Sequence, residues 1–224
     1  MAGLATSLAI FDLDGTLIDS KRDLVLSVNA TRAYMEMPEL SEQTISSYVG
    51  NGAPVLIQRA MGPEADEIMV ARALEYFLGY YKIHKLDNTT LYPGVREALD
   101  RLLAEGIKLG VLTNKPVGAS RGIIEGLGLT GHFQQIYGGN SFAEKKPNPI
   151  GIQTMLAETG AVAEAAVMVG DSHVDVATAR NAGVAAAGVN FGFQPDTFYL
   201  APPDFVCDDM RDLAEWILGG RVGG

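Results

Sequence analysis

Residues 8–20 read LAIFDLDGTLIDS: an apolar run from Leu8 to Phe11 that stops on two aspartates, Asp12 and Asp14, followed by Gly15 and Thr16. A short unbroken apolar run closed by a turn signal is the pattern of a strand buried on both faces. Five further β-rich runs follow: LGVLTN (109–114), QQIYGG (134–139), AVMVGD (166–171), AAAGVNF (185–191) and FVCDD (205–209). Helical stretches alternate with the later ones: VREALDRLLAEG (95–106), VGASRGIIEGLG (117–128), NPIGIQTMLAETG (148–160) and VDVATARNAG (174–183). In the first, Val95, Ala98, Leu99, Leu102 and Leu103 recur at helical spacing, and Gly106 supplies the residue that ends such helices. Alternating strands and helices predict an α/β fold, a parallel Rossmann-like sheet with helices on both faces.

One region breaks the alternation. Between Ser20 and Asn88 the chain has only helical patterns: residues 20–37, 41–49, 54–61 and 64–84. It reads as an α-helical insert after the first strand. The expected division is an α/β core of residues 1–19 and 89–224 and a helical domain of residues 20–88. The closing GGRVGG reads as a frayed end.

Composition narrows the function. The 224 residues are 47% hydrophobic and 20% charged, as in globular proteins with an ample core. The net charge of −10 argues against a basic nucleic-acid surface. No apolar run approaches the ~20 residues of a membrane span. The first residues carry no basic region of a signal peptide, so the cytoplasm is the expected location. Cys207 is the only cysteine, which excludes an internal disulfide framework and marks a packed thiol.

In a parallel sheet, ligands bind beyond the carboxyl ends of the strands. Three polar clusters stand at such ends: Asp12 and Asp14, Thr113 and Asn114, and Asp171 with Asp175 in GDSHVD. Lys145 and Lys146 lie on the same rim, and one of the two is expected to be merely solvated. Each member alone has an ordinary explanation, because Asp after a strand also caps helices and makes turns. Together, carboxylates beside hydroxyl, amide and ammonium groups suit a hard cation plus a phosphate. The GLGLTG stretch (126–131) fits a dinucleotide motif but follows a helix, so it reads as a helix-ending turn. His84 and His132 have no partner at metal-ligand spacing.

These residues resemble the haloacid dehalogenase-type phosphohydrolases. The four motifs of that family occur in order: Asp12-Leu13-Asp14-Gly15-Thr16, then Thr113, then Lys146 before Pro147, then Gly170-Asp171-Ser172-His173-Val174-Asp175. The helical insert stands where the family carries a cap domain. The resemblance implies Asp12 as nucleophile, forming an aspartyl-phosphate. It implies Asp14 as acid and then base, and Lys146 as the group that neutralises the phosphoryl charge. Thr113 and Asn114 would bind phosphoryl oxygens, Gly15 would let the backbone approach the phosphate, and Thr16 would steady the loop. Mg²⁺ would sit between Asp12, the backbone carbonyl of Asp14, Asp171 and the phosphate, with Asp175 holding a metal-bound water or Lys146. The stretch Gly50-Asn51-Gly52-Ala53, with Tyr92-Pro93-Gly94-Val95 and Thr113-Asn114-Lys115-Pro116, resembles the phosphoglycolate phosphatase branch. It places Asn51 and Gly52 at the substrate and makes 2-phosphoglycolate the favoured one. Asn148 departs from that branch, which commonly has His there. The expected partner is a small phosphorylated metabolite, and the expected assembly a monomer or homodimer. Two alternatives stay open: a phosphatase or pyrophosphatase of the family with another small substrate, and a sugar phosphomutase.

Overall fold

A computed structural model describes residues 5–219, so GGRVGG lies outside the described residues from position 220 on. The main sheet has six parallel strands: β1 (Leu8–Phe11), β4 (Lys108–Leu112), β5 (Gln135–Tyr137), β6 (Ala166–Gly170), β7 (Ala185–Val189) and β8 (Phe205–Cys207). Their spatial order is β5-β4-β1-β6-β7-β8. From β1 the chain builds outward on one side through β4 and β5, then crosses over to build β6, β7 and β8 on the other. β1 therefore lies at the point where the strand order reverses, the place where such sheets bind ligands.

The β1 side chains alternate between two buried clusters. Ala9 and Phe11 meet α5 (Val95–Ala104), α6 (Val117–Gly126) and α9 (Met210–Leu218) through Leu99, Leu102, Ile123, Leu213 and Ile217. Leu8 and Ile10 meet α7 (Ile150–Thr159) and α8 (His173–Ala182) through Ile152, Met155, Val176 and Ala179. All four β1 residues are fully buried, each large one being worth roughly 1.5–3 kcal/mol. This two-sided burial is why the run is continuously apolar rather than alternating. Trp216 on α9 stacks on Phe205, ring centroids 4.9 Å apart. Cys207 is buried, and burial pushes its thiol up to about 12, which leaves it protonated and unreactive.

The insert forms four helices: α1 (Lys21–Tyr34), α2 (Glu42–Tyr48), α3 (Ala53–Met61) and α4 (Glu67–His84). They share a third buried cluster that includes Leu24, Val28, Ile45, Leu56, Ile57 and Phe77. Ser41 and Asp66 cap α2 and α4 by accepting the Thr44 and Met69 backbone N–H groups at 3.2 and 2.8 Å. No sequence signal announced the short antiparallel ribbon that joins the two crossings, β2 (Ile18–Asp19) paired with β3 (Thr90–Leu91). Beside it, buried Asp23 of α1 accepts the backbone N–H groups of Asn88 and Thr89 and the Thr89 hydroxyl, at 3.0, 2.8 and 2.7 Å. One carboxylate thus fastens the start of the helical layer to its end. No helix among the described residues is long and apolar enough to cross a membrane.

Candidate active site

Strand register assembles the site. Phe11 lies opposite Val111 of β4 and Val169 of β6, so the residues just beyond these strand ends come side by side. Asp12, Asp14, Thr113, Asn114 and Asp171 line one cavity of about 420 Å³. Its far wall comes from the insert: Leu24, Gly52, Leu56, Phe77 and Tyr81.

Asp12, Asp171 and Asp175 each offer a carboxylate oxygen, all within 4.8 Å of one another, and all three residues are buried. Lys146 enters from the loop after β5. Its Nζ lies 3.0 Å from Asp12 Oδ1 and 2.6 Å from Asp175 Oδ1. Lys146 is buried and Lys145 is exposed, which settles which of the pair is solvated. Asp175 spends its other oxygen on the Ser172 backbone N–H and hydroxyl, at 3.2 and 2.7 Å, closing the first turn of α8. Asp171 Oδ2 accepts the backbone N–H groups of Phe193 and Gln194 at 2.6 and 3.3 Å.

Burial, opposed by Lys146 and reinforced by Asp175, pushes the Asp12 carboxyl up to about 6. Burial, with Asp175 and Asp12 beside it, pushes Asp171 well above the usual carboxylate range. Burial disfavours the charge on Lys146, but Asp12 and Asp175 outweigh it and hold the ammonium protonated beyond its ordinary range. The site thus has more buried negative charge than its lysines balance, and its donors are hard oxygens. That set fits a divalent cation, which Asp12 and Asp171 would hold.

A pH dependence follows. The Asp12 carboxyl is higher in the folded chain, about 6, than its ordinary 3.8, so this group's contribution to stability is full below 3.8 and lost as pH rises through 6. Chelator-treated protein should melt at a lower temperature at pH 7 than at pH 5. Added divalent cation should raise the melting temperature more at pH 7. Equal cation-induced shifts at the two pH values would contradict this account.

Asp14 stands apart from the three clustered carboxylates. Both of its oxygens accept from Lys115 Nζ at 2.9 Å, and the Ser20 hydroxyl donates to Oδ1. Lys115 Nζ also donates to the Tyr81 hydroxyl of α4 at 2.7 Å and sits 4.5 Å from that ring's centre. Burial works against the Lys115 charge, but Asp14 and the Tyr81 hydroxyl keep it protonated above the ordinary lysine range. Burial pushes the Tyr81 phenol up to about 12, so it keeps its proton. The metal contact expected of Asp14 is one of its backbone carbonyl, and its carboxylate is engaged elsewhere.

The remaining sequence-predicted residues divide. Asn114 donates through Nδ2 to the Gly50 and Lys146 carbonyls at 2.9 and 3.2 Å and accepts the Lys146 N–H at 3.0 Å. It ties the α2–α3 loop to the Lys146 loop. Gly52 lines the cavity at φ +86°, and a Cβ there would meet the Asn114 carbonyl at 2.9 Å. Asn51 lines a second cavity instead, with Lys21, Arg59 and His173. Gly15, at φ +81°, is demanded by packing: a Cβ would stand 2.2 Å from Asp171 Oδ2. Thr16 is fully buried, lines neither cavity, and its hydroxyl has no partner among the described residues. Contact of Thr16 or Asn51 with a ligand in the first cavity is therefore not what the geometry provides.

Sequence reasoning missed Lys115, Tyr81, Ser20 and the Phe193–Gln194 backbone. Lys115 had a signal, since it directly follows Thr113-Asn114 at a strand end. Tyr81 had none, being one aromatic among several on an amphipathic helix. Gly170 was read only as part of a motif. A Cβ there would stand 2.2 Å from Asp175 Cβ and Cγ. Gly170→Ala should therefore cost ~1–3 kcal/mol by overpacking, lower the melting temperature by roughly 2–4 °C per kcal/mol, and displace Asp175 from Lys146. An unchanged melting curve with full activity would contradict it.

The fold and the clustered carboxylates define a class of α/β enzyme built for phosphoryl chemistry. The model for haloacid dehalogenase-like hydrolases matches residues 9–189, and the chain belongs to that family. Within it the protein is a phosphatase, a phosphoric monoester hydrolase. Phosphoglycolate phosphatase of Rhodospirillum rubrum is 37% identical over 222 residues, covering 96% of this chain and 92% of that one. The enzyme of the same name from Vibrio vulnificus is 36% identical over 220 residues, covering 94% and 96%. The crystal structure of "a predicted phosphoglycolate phosphatase" from Haemophilus somnus superposes with a TM-score of 0.89 at 33% identity, covering 94% of this chain and 97% of that one.

Proposed function

We propose that this chain hydrolyses 2-phosphoglycolate to glycolate and phosphate, with Mg²⁺ and an aspartyl-phosphate at Asp12. The observation that carries the chemistry is the meeting of Asp12, Thr113 and Asp171 at adjacent strand ends in one cavity, with Lys146 Nζ 3.0 Å from Asp12. The carboxylate of Asp12 attacks phosphorus, and the ester P–O bond breaks. Asp14 gives its proton to the leaving oxygen, so glycolate departs as the neutral alcohol at that position. Water then attacks the phosphorus of the aspartyl-phosphate, Asp14 takes a proton from it, and phosphate leaves with Asp12 regenerated. Thr113 and the Asn114 backbone hold phosphoryl oxygens, and Lys146 balances charge on Asp12 and the phosphoryl group. Asp12, Asp171 and the Asp14 carbonyl would hold Mg²⁺, which would supply neutralisation of the phosphoryl oxygens.

Residues 20–88 act as a cap over the leaving group, and residues 1–19 and 89–224 as the core. The two crossings lie side by side in the β2–β3 ribbon, which supports that division. The substrate rests on the relatives' names. The test is kcat/KM with Mg²⁺ for 2-phosphoglycolate, pyrophosphate, phosphoserine, a sugar phosphate and an aryl phosphate. We expect 2-phosphoglycolate to lead by about two decades or more. A flat profile, or another leader, would keep the chemistry and discard this substrate. Conversion of a sugar monophosphate to its isomer, activated by a sugar bisphosphate, would favour the phosphomutase reading.

A further inference from the structure

We propose that Lys115 and Tyr81 are the specificity-determining pair of this site, receiving a second anionic group of the substrate carried one carbon beyond the ester oxygen. The inference rests on the phosphatase reading above, in which Asp14 faces the leaving oxygen.

Whatever the leaving group carries next must then come up against what surrounds Asp14. Lys115 Nζ lies 2.9 Å from both Asp14 oxygens and 2.7 Å from the Tyr81 hydroxyl. Both residues line the cavity and are buried, the Lys115 side chain being only 5% exposed. The Tyr81 oxygen accepts from Lys115, and no residue among those described accepts the proton of its own hydroxyl. A buried donor facing a cavity without an acceptor points to an acceptor on the ligand. Around the pair the wall is apolar, formed by Leu24, Leu56 and Phe77, so no other buried cation competes. In 2-phosphoglycolate a single methylene separates the ester oxygen from the carboxylate carbon. Once Asp14 has given up its proton, that carboxylate would lie beside it with like charge unless an ammonium stood between them. Lys115 is that ammonium, so the pair both attracts the carboxylate and removes the repulsion that would reject it. Lys82 and Lys85 also line the cavity, but Lys82 is exposed and Lys85 is half-buried, donating to the Lys82 carbonyl at 3.0 Å. Water screens charges placed there.

The experiment measures kcat/KM for 2-phosphoglycolate, 2-phospholactate and ethyl phosphate in the wild type, Lys115→Met, Tyr81→Phe, Lys82→Met and Lys85→Met. The readout is each carboxylated ester's ratio to ethyl phosphate, because a loss acting only through Asp14 lowers all substrates together. Lys115→Met should lower the wild-type ratio about 100-fold and Tyr81→Phe about 10-fold, while Lys82→Met and Lys85→Met leave it in place. Tyr81→Phe keeps the ring over Lys115, so its ratio is readable even if Lys115→Met does not fold. An unchanged ratio in Tyr81→Phe and Lys115→Met would overturn the proposal and leave 2-phosphoglycolate as substrate. A ratio lost in Lys82→Met or Lys85→Met would also overturn it. A wild type that prefers 2-phospholactate would discard 2-phosphoglycolate, yet support the pair if Lys115→Met erased that preference. A wild type with no preference for either carboxylated ester would overturn both.

Discussion

Asp12→Asn should reduce turnover at least ~10⁴-fold and leave the fold intact. The size follows from the proposed chemistry: the amide cannot attack phosphorus, so the route through a covalent intermediate closes. What remains is the positioning and charge provided by the rest of the site, which act on a reaction that has lost its nucleophile. Acid-quenched wild type incubated with labelled substrate should carry phosphate, and the variant should not. Stability should move the other way. Burial pushes the Asp12 carboxyl up to about 6, so holding it ionised at pH 7 destabilises metal-free protein. The neutral amide removes that penalty, and the chelated variant should melt no lower than chelated wild type. Near-normal turnover in Asp12→Asn would remove the nucleophile assignment, whatever its stability.

Lys146→Met should be the most damaging substitution to activity and stability together. Lys146 Nζ contacts Asp12 at 3.0 Å and Asp175 at 2.6 Å with almost no solvent access. Removing one partner of a buried pair strands the other, at ~3–5 kcal/mol. In a chain of this length that lowers the melting temperature by roughly 10 °C in metal-free protein at pH 7. The loss should shrink at pH 5, because Asp12 can then take up a proton. Turnover should fall about 10³-fold from the missing charge on the phosphoryl group. Lys145→Met is the control: that side chain is exposed, and its loss should change neither quantity. Matching effects in the two lysine variants would mean the buried pair does not act as described.

Charge explains why the site is both costly and useful. Four carboxylates, Asp12, Asp14, Asp171 and Asp175, share the strand ends with two buried lysines. Each lysine is tied to a different part of the set: Lys146 to the cation-binding side, Lys115 to Asp14. This separation keeps the two aspartates of the first motif in different surroundings although only Leu13 stands between them. Different surroundings are what allow two like groups to take different chemical roles.

Much of this was legible in the sequence because it depends on local patterns. A run buried on both faces must be continuously apolar, so LAIF and AVMV declare themselves as central strands. Polar residues directly after such runs must fall at the ligand-binding edge, so Asp12, Thr113 and Asp171 could be named. The four helices of the insert follow from apolar spacing in the same way. Contacts between distant segments have no such signature. That Lys146 rather than Lys145 is the buried ammonium depends on how the loop after β5 turns inward. That Lys115 grips Asp14 depends on β4 lying beside β1, and that Tyr81 joins them depends on how α4 packs over the sheet. Gly170 is required by Asp175 packed against it, and Gly15 both by its φ of +81° and by Asp171 packed against it. By itself the sequence determined the strands, the helices and the list of reactive groups, because hydrophobic periodicity and strand-end chemistry act over a few residues. Only the tertiary structure decided which of those groups touch, because burial and charge pairing are properties of the assembled chain.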